Sequence, residues 1–501
     1  MLKLLGFVLA VVCLIGLSGD QLQAQISIFR IIETLTGEKK PADEPGLNVK
    51  EKSDKEEKSE VNLTPSHEVV ASVIVEGKGG NTLQSVAISN SGVVAGLVGR
   101  PRYSENPAVP TTEICIFDDK GSIIKRWDLT LTGQAIAFSP DEKIYVAGEG
   151  KIAIYEIDGK LIKEAALPHL QKILGDKEAL RKTAIDSWNE EQERNKEVAK
   201  YYEADMNETK ETIAKLEQKL ADHKAKIAEE AKKSEPAKTT ETQAPADKEP
   251  VKEEPLTSAD KLPAKRGLNK KTQEERWETE LKSMQKQLGQ MEQLTNQFKV
   301  KENYTEEEIQ SYMLSIPAKL GGVRSIAVTK ENIIVITNAA KGYGYIAWKI
   351  SPDMSESVVY KDKLSGCCSQ VDLFANDKGI YMAENTKYRV GYYDLEGKLV
   401  TSYGKRARGK DEGFGGCCNP MNAYALADGT VFCSESAGEI KRFNADGTFA
   451  AFVGKVKLPN DGCKNVSFAV SHDGSKVYFA DNVGSTLVIL ETATKKVTQV
   501  K

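Results

Sequence analysis

From about Glu68 onward, short runs of β-branched and aromatic residues alternate with turn residues. In the clearest stretch, four short strands fall between Val371 and Tyr403. The stretches 422–453 and 466–500 repeat this order, with Asp-Gly turns between the strands. Repeats of about 45 residues that contain four short strands are typical of the blades of a β-propeller.

Three earlier segments, which begin at Ser85, Gln134 and Val323, follow the same order of strands. The pattern therefore predicts an all-β propeller with six four-stranded blades. It leaves Val69–Val75 as an extra strand, which we expect to close the ring against the last blade.

The blades fall into two blocks, because a helical segment interrupts them. We place blades 1 and 2 in residues 67–168, the insertion in residues 169–318, and blades 3 to 6 in residues 319–501. Within the insertion, core positions recur in alternating steps of three and four, which predicts two coiled-coil helices. The segment from about 233 to 266 is rich in Pro, Lys and Glu and predicts a disordered loop between them.

The insertion therefore reads as an antiparallel coiled-coil hairpin. Its first arm of about 55 residues would extend roughly 80 Å at the α-helical rise. Such an arm either stays solvated without a partner, contacts a protein or a cell-envelope component, or mediates self-association. The polar residues Gln192, Asn195 and His223 favour a role in setting the register over ligand binding. The apolar seam is predicted to contain Ile213, Leu216, Leu220, Ile227, Leu281, Met284, Leu288 and Met291.

The last three repeats share further sequence features. Asn419-Pro420 precedes a first strand, Asp428-Gly429 forms the next turn, and Ile440–Gly447 reads Ile-Lys-Arg-Phe-Asn-Ala-Asp-Gly; Tyr392–Gly397 repeats this ending one blade earlier. These features resemble the NHL family of β-propeller repeats. The resemblance implies a propeller architecture, but propellers of this kind include enzymes as well as passive binders, so it leaves the function open.

The N-terminus has the composition of a secretory signal. An apolar run, Leu4–Leu17, follows a positively charged start, and Leu22-Gln23-Ala24 offers a cleavage site. We predict a signal peptide at residues 1–24 and an exported protein (periplasmic, cell-surface or secreted) without a transmembrane span after cleavage. An uncleaved anchor and a lipoprotein are the alternatives. Residues 25–66, which are rich in charged residues and Pro, predict a disordered linker.

The overall composition argues against two functional classes. A net charge of −4 does not suit a nucleic-acid binder, which needs a basic surface. With only four histidines, a His-based metal centre or a Ser-His-Asp triad is hard to build. Asp372, Glu384 and Glu435 fall near the predicted inner strands and are candidates to line a central channel, where acidic residues are more often solvated or paired than catalytic.

Five cysteines recur in one register. The last cysteine of each group, Cys368, Cys418 or Cys463, stands eleven residues before the glycine of the following turn. In a propeller this position opens the innermost strand near one mouth of the channel. Three neighbouring blades would therefore bring five thiols to one rim: Cys367, Cys368, Cys417, Cys418 and Cys463.

These cysteines leave three interpretations open. They could form disulfides, which suit an exported protein. They could bind copper(I) or zinc, with Met421 and Cys433 as possible extra ligands. They could also be redox-active or free thiols. Cys115 and Cys433 both lie on predicted strands and are the candidates for a buried, unpaired thiol.

Together these features predict an exported, non-catalytic β-propeller scaffold that binds protein or ligand and requires no cofactor. Its coiled-coil arm would serve partner contact or assembly. The alternative is a metal-binding or thiol-redox propeller that works at the channel mouth through the cysteine cluster. No motif marks the chain as an enzyme.

Overall fold

A computed structural model of the protein describes residues 64–100, 111–233, 272–331, 333–339, 344–364, 366, 370–407, 412–416, 418–459 and 466–493. The predicted signal peptide (1–24), the predicted linker up to residue 63 and the predicted loop from residue 234 lie outside the described residues. The described part is mostly β, with six four-stranded antiparallel sheets and four α-helices.

The strands of each sheet follow one another in sequence, apart from β1 (His67–Ile74), which belongs to the last sheet. The first three sheets contain β2 (Thr82–Ile88), β3 (Val94–Gly99), β4 (Glu113–Phe117) and β5 (Ile123–Asp128); β6 (Ala135–Phe138), β7 (Ile144–Gly148), β8 (Lys151–Tyr155) and β9 (Leu161–Ala166); and β10 (Val323–Val328), β11 (Ile333–Asn338), β12 (Tyr345–Ile350) and β13 (Ser357–Leu364). The other three contain β14 (Leu373–Asn376), β15 (Gly379–Glu384), β16 (Arg389–Tyr393) and β17 (Leu399–Tyr403); β18 (Asn422–Ala425), β19 (Val431–Ser434), β20 (Glu439–Phe443) and β21 (Phe449–Lys455); and β22 (Val466–Val470), β23 (Lys476–Asp481) and β24 (Thr486–Thr492) together with β1.

The predicted extra strand joins the last sheet. β1 pairs antiparallel with β24, from His67 opposite Thr492 to Ile74 opposite Thr486. The predicted pairing of Val69–Val75 with the last repeat is thus confirmed. The fourth strand that the sequence predicts for this sheet, 496–500, lies outside the described residues, and β1 occupies the place next to β24.

The first strands of the six sheets contact one another in cyclic order. β2 contacts β6, β6 contacts β10, and the series continues through β14, β18 and β22 back to β2. The apolar core lies between neighbouring sheets, since Leu97 and Ile114 of the first sheet share a cluster with Ile136 and Val146 of the second. All of β3 is buried, whereas β5 is largely exposed, so burial falls from the early strands of a sheet to the last.

Four helices separate the second sheet from the third: α1 (Pro168–Leu174), α2 (Lys177–Lys233), α3 (Gln273–Gln297) and α4 (Glu306–Gly321). A capping box of Thr305 and Glu308 starts α4, and Thr272 with Glu275 starts α3 in the same way. Among the described residues, none of the helices is both apolar enough and long enough to cross a membrane.

The chain divides into two compact units, one of which is Gln192–Glu302. The predicted insertion was longer, at 169–318. Its two ends belong to the unit that contains the sheets, because Trp188 and Ile309 share an apolar cluster with Val323 of β10. These side chains are covered by the sheets, so the ends of the helical segment are part of the sheet core.

The unit Gln192–Glu302 consists of two antiparallel helical arms. Lys210 is 3.8 Å from Glu292, and Lys224 is 2.9 Å from Glu278, so residues that come later in α2 face residues that come earlier in α3. Most of the predicted seam is covered. Ile213, Leu216 and Met291 are buried, and Leu220, Leu281, Met284 and Leu288 are half-buried.

Ile227 is the exposed member of the predicted seam, with 47% of its surface accessible to solvent. Lys224, one turn earlier, is already 3.2 Å from Glu274 in the first turn of α3. Little of α3 is left to cover Ile227, and the sequence pattern alone placed this residue in the seam incorrectly. His223 remains half-buried and packs edge-on against Trp277, with 5.4 Å between the ring centroids.

Candidate functional site

A cavity of about 100 Å³ lies where the first strands of the six sheets meet. All of these strands (β2, β6, β10, β14, β18 and β22) contribute residues to its lining. This cavity is the strongest candidate site in the described part of the chain, because it is the place where all six repeats converge.

Equivalent positions of the six repeats line the cavity with small or polar side chains. Five of the six are polar, and the sixth is Ala135. We call the five the polar set: Ser85, Ser325, Asp372, Asn422 and Ser467. Side chains of this kind at the start of otherwise apolar strands have no role in an apolar core, so their hydrogen bonds need to be accounted for.

The polar set ties neighbouring sheets together. The hydroxyl of Ser325 in the third sheet donates to Asp372 Oδ1 at 2.8 Å and accepts from the backbone N–H of Leu373 at 3.0 Å. Ser467 in the last sheet repeats this arrangement toward the first sheet: its Oγ lies 3.1 Å from that of Ser85 and accepts from the N–H of Val86 at 3.2 Å. These hydroxyls hold adjacent first strands in register.

Asp372 is the only carboxylate in the lining described for this cavity. Burial raises the pKa of Asp372, and hydrogen bonds from Ser325, from Asn422 and from the backbone N–H of Ala423 oppose this rise. Asn422 is held in turn by Ser434, whose hydroxyl donates to Asn422 Oδ1 at 2.7 Å. Asp372 is therefore anchored by the protein on both sides.

Gln370 and Asn482 contribute two further polar groups to the lining. The Gln370 side chain is 5% exposed, and its Nε2 donates to the carbonyls of Met421 at 3.2 Å and Val466 at 3.0 Å. Its Oε1 has no hydrogen-bond partner among the described residues, and the same holds for Oδ1 of Asn482.

The other two acidic candidates do not line the cavity. Glu384 accepts from Arg389 Nε at 2.8 Å and from the Tyr393 hydroxyl at 2.8 Å. Although burial alone would raise the pKa of Glu384, its ion pairs with Lys387 and Arg389 lower it. Glu435 is 2.5 Å from Lys441. Both carboxylates are thus paired and not available as channel groups.

Only part of the predicted cysteine rim falls within the described residues. Cys367, Cys368, Cys417 and Cys463 lie outside them. Cys418 and the proposed extra ligand Met421 are both buried in one apolar cluster, which also contains the cavity-lining residue Tyr424. Across the described ranges, no group of three or more His, Cys, Asp or Glu side chains is arranged to hold a metal ion.

Cys115 and Cys433 are buried free thiols on β4 and β19. The sequence offered these two strand cysteines as candidates for a buried, unpaired thiol, and both are of this kind. Burial raises the pKa of Cys115 to about 11, and it also raises that of Cys433. Because the thiolate is the reactive form, neither side chain is suited to redox or nucleophilic chemistry near neutral pH.

Reasoning from the sequence singled out Asp372 as a channel candidate, but it missed the other four members of the polar set, and it also missed Gln370 and Asn482. A comparison of the six first strands would have revealed the polar set, since five of the six carry a polar residue at the same place. No sequence signal marks Gln370, whose amide reaches two other sheets.

No protein-family model matches this chain, and no curated protein matches it.

Proposed function

We propose that this chain is an exported, non-catalytic β-propeller scaffold of NHL-like architecture. It binds a ligand or a protein at the central cavity and uses its helical hairpin for contact with a protein or cell-envelope partner, or for self-association. The observation that carries this proposal is the cyclic contact of the six first strands around one cavity.

The pairing of β1 with β24 supports a closed arrangement of six blades. Residues from the start of the described fold complete the sheet that is formed by its end, so the first and last repeats are fastened together. A propeller keeps only short, protected sheet edges, and a shared sheet of this kind joins its first and last blades. Rigid discs of this kind suit binding at the central channel.

The engagement of the titratable groups supports a binding role over a catalytic one. Asp372 is anchored by hydrogen bonds, and Glu384 and Glu435 are ion-paired. His67 Nε2 donates to the carbonyl of Gly474 at 2.9 Å, and His169 stacks on Trp348 with 4.3 Å between the ring centroids. Each of these groups already has a hydrogen-bond, ion-pair or stacking partner within the protein, which argues against a role as a general acid or base.

A second candidate function is metal binding or thiol redox at the cysteine rim. It is favoured by the placement of Cys418 and Met421 in the apolar cluster that contains the cavity-lining residues Tyr424 and Phe468. The masses of the native and denatured chain, with alkylation before and after reduction, separate the two functions. Copper or zinc lost on denaturation, together with several alkylatable thiols, would favour the second candidate.

The scaffold role is tested by site-specific cross-linking in the natural host. A photo-reactive group at the exposed position Lys219 of α2 should give one defined adduct with a partner or with a second copy of the chain. Leu216→Asp, which places a charge in the seam, should abolish the adduct, while Gln218→Asp on the exposed face should preserve it. A chain that stays in the cytosol and forms no adduct would contradict the proposal.

A further inference from the structure

The amide of Gln370 has a fixed orientation. Its Nε2 donates to two backbone carbonyls, of Met421 and Val466, so the other terminal atom must be the oxygen. That oxygen is buried at the cavity and lacks a donor among the described residues. A buried acceptor without a partner costs about 1–3 kcal/mol unless something outside the protein donates to it.

A second acceptor lies at the same end of the cavity. Asn482 directly follows Asp481, which pairs across the sheet with Val466, and the Val466 carbonyl is the one that accepts from Gln370. The Asn482 side chain is 9% exposed, and its Oδ1 also has no partner in the part of the chain that the structure describes. Two buried carbonyl oxygens therefore share this end.

The described lining of the cavity carries one charge of each sign. Asp372 lies two residues after Gln370 and supplies the one carboxylate of the described lining. Arg324, the cation of the described lining, belongs to the third sheet, which lies next to the fourth sheet with Gln370 and three places from the last sheet with Asn482; it has an interaction partner of its own.

A divalent metal ion is a poor match for these groups. Calcium sites take six to eight oxygen ligands, usually with several carboxylates. Asp372 already accepts hydrogen bonds from Ser325 and Asn422. An ammonium group needs only acceptors for its three N–H bonds, and amide oxygens serve as well as carboxylates.

We propose that the cavity binds the primary ammonium group of a small organic ligand, with Gln370 Oε1 and Asn482 Oδ1 as its hydrogen-bond acceptors. The inference rests on the proposed binding function and names the class of ligand at the cavity. A volume of about 100 Å³ admits a molecule of a few heavy atoms. Ordered water is the competing occupant, because it can donate to the same oxygens.

The test is a calorimetric titration of the full mature chain with ethylammonium, ethanol and acetate at constant ionic strength. Ethylammonium should bind, while ethanol and acetate should not. Asn482→Leu should weaken ethylammonium binding about tenfold or more, since one acceptor is lost. Asn482→Asp should strengthen it, because a carboxylate replaces the amide oxygen. Asn444→Leu, which alters an exposed asparagine outside the cavity, should leave it unchanged.

The inference is overturned if no probe binds, if ethanol or acetate binds as tightly as ethylammonium, or if Asn482→Leu has no effect. If Asn482→Leu fails to fold, as judged by near-UV circular dichroism, the strengthened binding expected for Asn482→Asp decides the question. The cross-linking test of the hairpin does not involve the cavity, so a failed titration would leave the scaffold role intact.

Discussion

The ion pair between Glu435 and Lys441 allows a quantitative test of the core of the fifth sheet. Both side chains are almost fully buried, at 6% and 8% exposed, and their charged atoms are 2.5 Å apart. Glu435 also accepts from Asn419 Nδ2 at 2.8 Å, and Lys441 Nζ donates to the carbonyl of Gly413 at 2.6 Å. Both charged groups are therefore shielded from solvent.

Lys441→Met removes the cation and leaves Glu435 buried, with the Asn419 amide and the backbone N–H of Gly415 as remaining donors in the described structure. Breaking a buried pair by removing one partner costs about 3–5 kcal/mol, because the remaining charge is uncompensated. We expect a loss of this size in the free energy of unfolding at pH 7, measured by urea denaturation. The double variant Glu435→Leu with Lys441→Met should recover most of it, since it leaves no buried charge.

The dependence on pH gives an independent check. Burial raises the pKa of Glu435 above the unfolded value of 4.5 even with Lys441 in place, and the loss of the cation should raise it further. Between pH 4.5 and the raised folded pKa, the folded variant holds a proton that the unfolded chain releases. The deficit is therefore complete above the folded pKa, shrinks as the pH falls from there towards 4.5, and is largely lost below pH 4.5. A loss below about 1 kcal/mol, or a deficit that does not change with pH, would refute this reasoning.

Three further predictions concern the strand that closes the last sheet, the buried thiols and the seam. Removal of residues 1–74 takes away β1, so β24 loses its partner. Compared with removal of residues 1–63, it should lower the free energy of unfolding of the sheet unit by more than about 4 kcal/mol, measured by urea denaturation. Cys115 and Cys433 should resist alkylation by iodoacetamide in the native chain at pH 8 and should react in urea, because both thiols are buried. Mass spectrometry measures the alkylation; if the native chain is alkylated as fast as the chain in urea, the two thiols are not buried. Ile213→Ala should destabilise the hairpin by about 2–4 kcal/mol, and Ile227→Ala by less than about 1 kcal/mol, because of the two side chains only Ile213 is buried. Thermal unfolding followed by circular dichroism measures both changes, and equal effects would mean that Ile227 is covered.

The local pattern of residues was enough to predict the elements of this fold. Apolar runs and Asp-Gly turns depend on neighbours a few residues away, and they predicted five of the sheets as groups of four consecutive strands. The extra strand at Val69–Val75 was left over after six groups of four strands, and it was expected to close the ring against the last repeat, where β1 pairs with β24. The helical period likewise predicted most of the seam.

The sequence did not determine which side chains become covered or paired. Ile227 fits the seam pattern but lies where α3 has just begun, and Trp188 and Ile309 continue the helical segment yet join the core of the sheets. Glu384 and Asp372 look alike in sequence, but one is ion-paired and the other lines the cavity. Such outcomes depend on partners contributed by distant parts of the chain, as when the amide of Gln370 bonds to Val466, and only the tertiary structure brings those partners together.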